Sequence, residues 1–162
     1  MRSQPAPTGR SVAGMSQKTH GQLVTFEGSY LTPSWEHARV ADAMRTGVIS
    51  CPPDTPMDTV ARIMATNHVH AVVVLAGDAP WRVVTAGDVL HVTSDAADRL
   101  AGSCASDPPV MVKPSELVSS AVELMERYRV THLLVGDPQS SGPPIGVLSS
   151  LDVAGIVAWG RG

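Results

Sequence analysis

The chain has few aromatic residues: one Phe, two Tyr and three Trp among 162, or 4%. Its core must therefore come from Val, Leu, Ile, Ala and Met. Cysteine is scarce too. Cys51 and Cys104 form no CxxC pair and no zinc-type Cys/His spacing, so two buried, reduced thiols are expected. No block of Lys or Arg stands out and the formal charge is −3, which argues against nucleic acid as the main partner. No apolar run approaches the ~20 residues of a membrane helix, so no membrane partner is expected. No apolar stretch follows Arg2 and Arg10, so a signal peptide is not expected and the expected compartment is the cytoplasm. No nucleophile–base–orienter set and no metal-ligand spacing is visible. The expectation is a protein that is not an enzyme, with no metal site and no required cofactor.

Hydrophobic residues make up 43% of the chain, enough for a sizeable core. Residues 1–34 read as a flexible tail and lead-in. Met1 to Gly21 are rich in Ser, Gly, Pro, Thr and Gln without apolar periodicity, and "LVTFEGSYL" suits a short extended piece. From Trp35 the pattern turns helical through Met44, with Ser34 as an N-cap.

The remainder is one pattern written twice, over 35–97 and 98–162. A short extended piece ends in proline, "VISCPP" and then "VMVKP". An amphipathic helix follows. In the first copy Thr55 can cap it and Asp58 can close a capping box; in the second Ser115 can cap it. Val60, Ile63 and Met64 mark one helix face, and Leu117, Ala121, Leu124 and Met125 the other. Then come two β-rich runs around a turn-rich segment: "VHAVVVL" and "WRVVT", later "VTHLLVG" and "IGVLS". Each copy closes on a short helix, "AGDVLHV" or "SLDVAGIVAW".

The copies stay in register. Met64 and Met125 lie 61 apart, as do Val69 and Val130. Thr85 and Ser149 lie 64 apart, as do Asp88 and Asp152. The extra three residues fall in the turn, where an insertion belongs. Each copy is β-α-β-β-α, an α/β (α+β) pattern. About 60 residues bury a core poorly alone, so the copies should pack together about a pseudo-twofold axis.

"VADAMRTGVISCPPDTPMDTVARIMATNHVHAVVVL" and the closing "GVLSSLDV" resemble a tandem pair of CBS domains, a Bateman module, over about Val40 to Ala158. The resemblance implies a regulatory module whose sheets flank a central cleft. Adenine nucleotides or other adenosyl compounds often bind in that cleft, and two chains often form a disc-like homodimer. Both repeats depart from the family pattern: Val73 and Leu134 stand where a proline is often found in the middle strand.

Two readings attach to the closing signature. In one, Ser149 and Thr85 cap helices, and Asp152 and Asp88 complete capping boxes. In the other, the hydroxyl and the helix N-terminus favour a phosphate, and Asp152 accepts bonds from ribose hydroxyls. Gly146 would then let a ligand approach the backbone. Arg82 stands in its place in the first copy, narrowing that entrance or reaching a phosphate. By resemblance, Ile49 and Ser50 in one copy and Val110 and Met111 in the other supply the adenine slot. His70 and His132 can face the cleft and contact phosphates. His68 and His70 alternate and could share a face, but no third metal ligand is apparent.

The expected function is a non-catalytic sensor module binding a small nucleotide, with AMP, ADP or ATP foremost. It would act on a regulated protein in trans. The alternative is a ligand-free dimerisation or protein-interaction module.

Overall fold

The computed structural model describes residues 32–75, 77, 81–105, 109–140 and 142–160. The expected mobile tail and the "LVTFEGSYL" piece lie outside them. The elements run α1 (Val40–Ala43), β1 (Arg45–Thr46), β2 (Ser50–Cys51), α2 (Met57–Asn67), β3 (Ala71–Val74), β4 (Arg82–Thr85) and α3 (Ala86–His91). They continue with α4 (Ala101–Cys104), β5 (Met111–Val112), α5 (Val118–Tyr128), β6 (His132–Val135), β7 (Gly146–Ser149) and α6 (Ser150–Trp159).

Two mixed sheets form. One has the order β2-β3-β4, with β2 parallel and β4 antiparallel to β3. The other has the order β1-β7-β6-β5, with β5 parallel and β7 antiparallel to β6, and β1 antiparallel to β7. β3 is apolar throughout, and β6 is apolar after His132, because both faces are covered. Side chains alternate. Val72, Val74 and Val84 point toward the helices of the first repeat, and Leu133, Val135 and Leu148 toward those of the second. The intervening Val73, Val83 and Leu134 form the contact between the sheets, with Trp81, Met111 and Val147 around them. Val73 and Leu134, the two departures from the family pattern, thus fill this inter-sheet layer.

The repeats exchange their lead-in segments. The Val118 N–H, at the start of α5, donates to Ala38 O (2.9 Å); the Met57 N–H, at the start of α2, donates to Arg99 O (2.9 Å). Val40 N–H bonds Glu116 O (2.8 Å), and Ala101 N–H bonds Thr55 O (2.8 Å). Bridges Arg39–Leu117 and Leu100–Pro56 accompany them. So α1 docks on the second repeat and α4 on the first.

This exchange explains where the helices begin. Sequence reasoning caps α2 with Thr55 and α5 with Ser115. Instead the N-caps are Pro56 and Leu117, without side-chain caps, because carbonyls of the opposite lead-in take those N–H groups. Asp58 pairs with Arg62 at 3.3 Å. The helix expected from Trp35 is also interrupted. Ser34 O closes a turn on His37 and Ala38, Arg39 is extended, and only Val40–Ala43 is helical. Both long helices end on a left-handed residue, His68 (φ 53) and Arg129 (φ 54). Cys51 is buried, which raises its thiol pKa, while Cys104 is half-buried; both are free.

Candidate functional site

Both closing signatures fold as capping boxes. The Ser149 N–H (2.8 Å) and hydroxyl (2.5 Å) donate to Asp152 Oδ2, and the Asp152 N–H returns to Ser149 Oγ (3.3 Å). Thr85 and Asp88 repeat the arrangement, with Thr85 N–H and Oγ1–H each 2.7 Å from Asp88 Oδ2. The bonds serve the backbone, but they also aim each carboxylate. One oxygen is held by the cap and Oδ1 is turned outward.

At Asp152 that outward oxygen meets a cavity of about 380 Å³, a size typical of small-ligand sites. Its wall comes from four places. The lead-in gives Arg45, Thr46, Gly47, Val48 and Ile49; the approach to β3 gives Val69, His70 and Ala71. The sheet of the second repeat gives His132, Val147 and Ser149, and α6 gives Asp152. Gly47, at φ 84, turns the chain between Arg45 and Ile49 as a glycine readily can.

The cleft is apolar at Val48, Ile49, Val69, Ala71 and Val147. Its polar side chains are those of Arg45, Thr46, the two histidines, Ser149 and Asp152. The Arg45 Nε lies 3.5 Å from Asp152 Oδ1. His132 Nδ1 shares a 2.9 Å hydrogen bond with Thr131 Oγ1. Burial, and then the charge of His70, hold the His132 pKa below the ordinary 6.5, against the opposing pull of Asp152. Two of the first three N–H groups of α6 are already engaged: Ser150 N–H donates to Thr131 O (2.9 Å), and Asp152 N–H to Ser149 Oγ (3.3 Å).

Five of the residues singled out from sequence therefore meet here: Ile49, His70, His132, Ser149 and Asp152. Ile49 joins the signature of the second copy, not that of its own copy. The others do not line this cavity. Ser50 is exposed on β2. Val110 packs on the core of the second repeat and Met111 in the inter-sheet layer. Gly146 makes a close approach of a different kind from the one expected. A Cβ there would collide with the carbonyl oxygen of Arg45, so the missing side chain admits strand β1. Thr85 and Asp88 occupy the pseudo-symmetric position, at the N-terminus of α3. Arg82 turns its guanidinium to Gly102 O on α4. Sequence reasoning missed Arg45, Thr46, Gly47 and Val48, and also Val69, Ala71 and Val147; the two-residue strand Arg45–Thr46 leaves no periodic signal, and the apolar residues read equally as core.

Among the described residues, no three His, Cys, Asp or Glu side chains gather as metal ligands would. No described helix is long and apolar enough to cross a membrane.

Comparison with known proteins agrees with the internal repeat. The family model "CBS domain" matches twice, over 40–95 and 101–158. No curated protein matches the chain in sequence. Among solved structures, a CBS domain protein from Pyrobaculum aerophilum complexed with AMP is 26% identical, with a TM-score of 0.64, and the match covers 74% of this chain and 95% of that one. A CBS domain pair in complex with 5′-methylthioadenosine and S-adenosyl-L-methionine has a TM-score of 0.67 at 13% identity, covering 75% and 96%. A hexameric CBS-CP12 protein from bloom-forming cyanobacteria has a TM-score of 0.64 at 16% identity, covering 72% of this chain and 69% of that one.

Proposed function

Because the chain belongs to the CBS-domain family and carries the domain in tandem, we propose that it is a regulatory module which binds an adenosyl ligand, AMP, ADP or ATP foremost, between its repeats. The observation that carries this reading is the single cleft joining Ser149 and Asp152 to Val48, Ile49, His70 and His132. Val48 and Ile49 offer an apolar slot for a base, and Asp152 Oδ1 an acceptor for a ribose hydroxyl. The AMP complex of the Pyrobaculum aerophilum protein supports the ligand class. The module regulates rather than catalyses, in the cytoplasm, and acts on a protein in trans. The ligand works by favouring one arrangement of the repeats.

Thr85 and Asp88, with Val110, belong to a second, pseudo-symmetric site on this reading. Ser50 and Met111, next to Ile49 and Val110 in the chain, border the two sites. Two chains pair through the helices, where Leu90, Leu151 and Val157 are exposed. Light scattering should then give twice the 17.0 kDa chain mass.

A second reading, a ligand-free dimerisation module, is favoured by the capping boxes, which account for both signatures without a ligand. A thermal-shift panel of AMP, ADP, ATP, S-adenosylmethionine and NAD separates the two. A ligand at ~100 times its Kd adds ~2.7 kcal/mol to stability. A flat panel would leave the dimerisation module standing alone.

A further inference from the structure

The geometry points to Arg45 as the specificity-determining residue of the cleft: it yields Asp152 to the ligand's ribose and takes the ligand's anionic end, so that a 5′-phosphorylated adenosyl compound is chosen over an uncharged one. This rests on the adenosyl reading proposed above.

Asp152 has one oxygen to offer. Its Oδ2 is held by the Ser149 N–H and hydroxyl, which leaves Oδ1 outside the cap. Arg45 Nε already lies beside that oxygen at 3.5 Å. A ribose hydroxyl and Arg45 therefore compete for the same acceptor. The pair is easily parted. The Arg45 side chain is 57% exposed, and ion pairs in that setting hold weakly.

The backbone of Arg45 stays put while its side chain moves. Strand β1 is registered on β7, Arg45 opposite Val147, with its carbonyl over Gly146. A guanidinium displaced from Asp152 remains on the cleft wall. Beside an uncharged ligand it has lost its carboxylate; beside a phosphate it gains a charged acceptor, the stronger kind of hydrogen bond.

The competing place for a phosphate, the N-terminus of α6, is largely closed. The Ser150 and Asp152 N–H groups bond to Thr131 O and Ser149 Oγ. His70 and His132 line the same wall as Arg45 and add donors there.

The test is calorimetric titration of the full chain with AMP and with adenosine, for the parent, Arg45→Gln and Arg45→Lys. The parent should bind AMP more tightly, and Arg45→Gln should shrink the adenosine-to-AMP Kd ratio by roughly tenfold or more. Adenosine affinity should hold or rise, because Asp152 is freed. Arg45→Lys should fall between. A merely structural role for Arg45 would weaken both ligands alike and leave the ratio unchanged. Arg62→Gln, on the outer face of α2, should leave both affinities at parent values.

Salt gives a readout without substitution: raising NaCl should weaken AMP and spare adenosine. Adenosine bound as tightly as AMP, an unchanged ratio in Arg45→Gln, or equal salt dependence overturns the role of Arg45 and leaves the adenosyl reading standing. No binding of either compound overturns both.

Discussion

The two repeats share their skeleton and differ in the residue that opens the last strand of each. Each has a signature capping box, a left-handed residue ending its long helix, and a first turn capped by the other repeat's lead-in. Then they part. β7 begins with Gly146 and accepts β1 along its edge, giving four strands. β4 begins with Arg82, whose guanidinium reaches the carbonyl of Gly102 on α4. In the second repeat the glycine admits upstream backbone along its strand and brings Arg45 to the cleft; in the first, the residue at that position turns its side chain to α4. A duplicated fold can keep its skeleton and still specialise one half.

The sharpest way to break this comparison is to give the second repeat a side chain at this position. Gly146→Val should drive a Cβ into the Arg45 carbonyl and lift β1, at a cost of up to about 3 kcal/mol for overpacking. Chemical denaturation checks the loss, and the cleft should fail with it. A variant as stable as the parent would mean that β1 pairing does not depend on the glycine.

Next come the carboxylates. In Asp152→Asn the amide oxygen can keep the cap, leaving the NH2 toward the cleft in place of Oδ1. A lost bond to a charged group is worth ~1.5–3 kcal/mol, so affinity for the best ligand should fall roughly 10- to 150-fold. Asp88→Asn should not weaken binding at the Asp152 cleft. Equal losses by titration would point to two equivalent sites.

A smaller effect should be shared. Ser149→Ala and Thr85→Ala each remove a cap, costing ~1 kcal/mol apiece in thermal melts. A large gap between them would show that the capping boxes are not equivalent.

The mildest expectation concerns pH. The His132 pKa is lowered in the fold, by burial first, from 6.5. The unfolded chain therefore binds the proton more readily, and stability should decline as pH falls below about 6.5 toward the folded value. His132→Gln should flatten that decline. Its pseudo-symmetric counterpart, Ala71, gives the first repeat no such slope. A parent and variant with parallel curves would remove His132 as the cause.

The legible parts were those with a local signal. Periodic apolar faces marked α2 and α5, and the hydroxyl and carboxylate three residues apart marked both capping boxes. The 61-residue offset disclosed the duplication. What stayed hidden depends on distant partners. β1 exists because Gly146, a hundred residues on, has no side chain. Thr55 and Ser115 looked like caps, but the N–H groups they would serve are taken by Arg99 and Ala38 carbonyls. Ile49 reads as an adenine-slot residue, but nothing local shows that the lead-in turns toward the signature of the other repeat.

The exchanged lead-in also sets how the chain would bear a load. The segment before Val40 is anchored to Glu116 and Val118 rather than to the repeat that follows it in sequence. A pull on the N-terminus would first load the later repeat, peeling α1 from α5 and then β1 from β7. The earlier repeat would be slack until that clasp gave way.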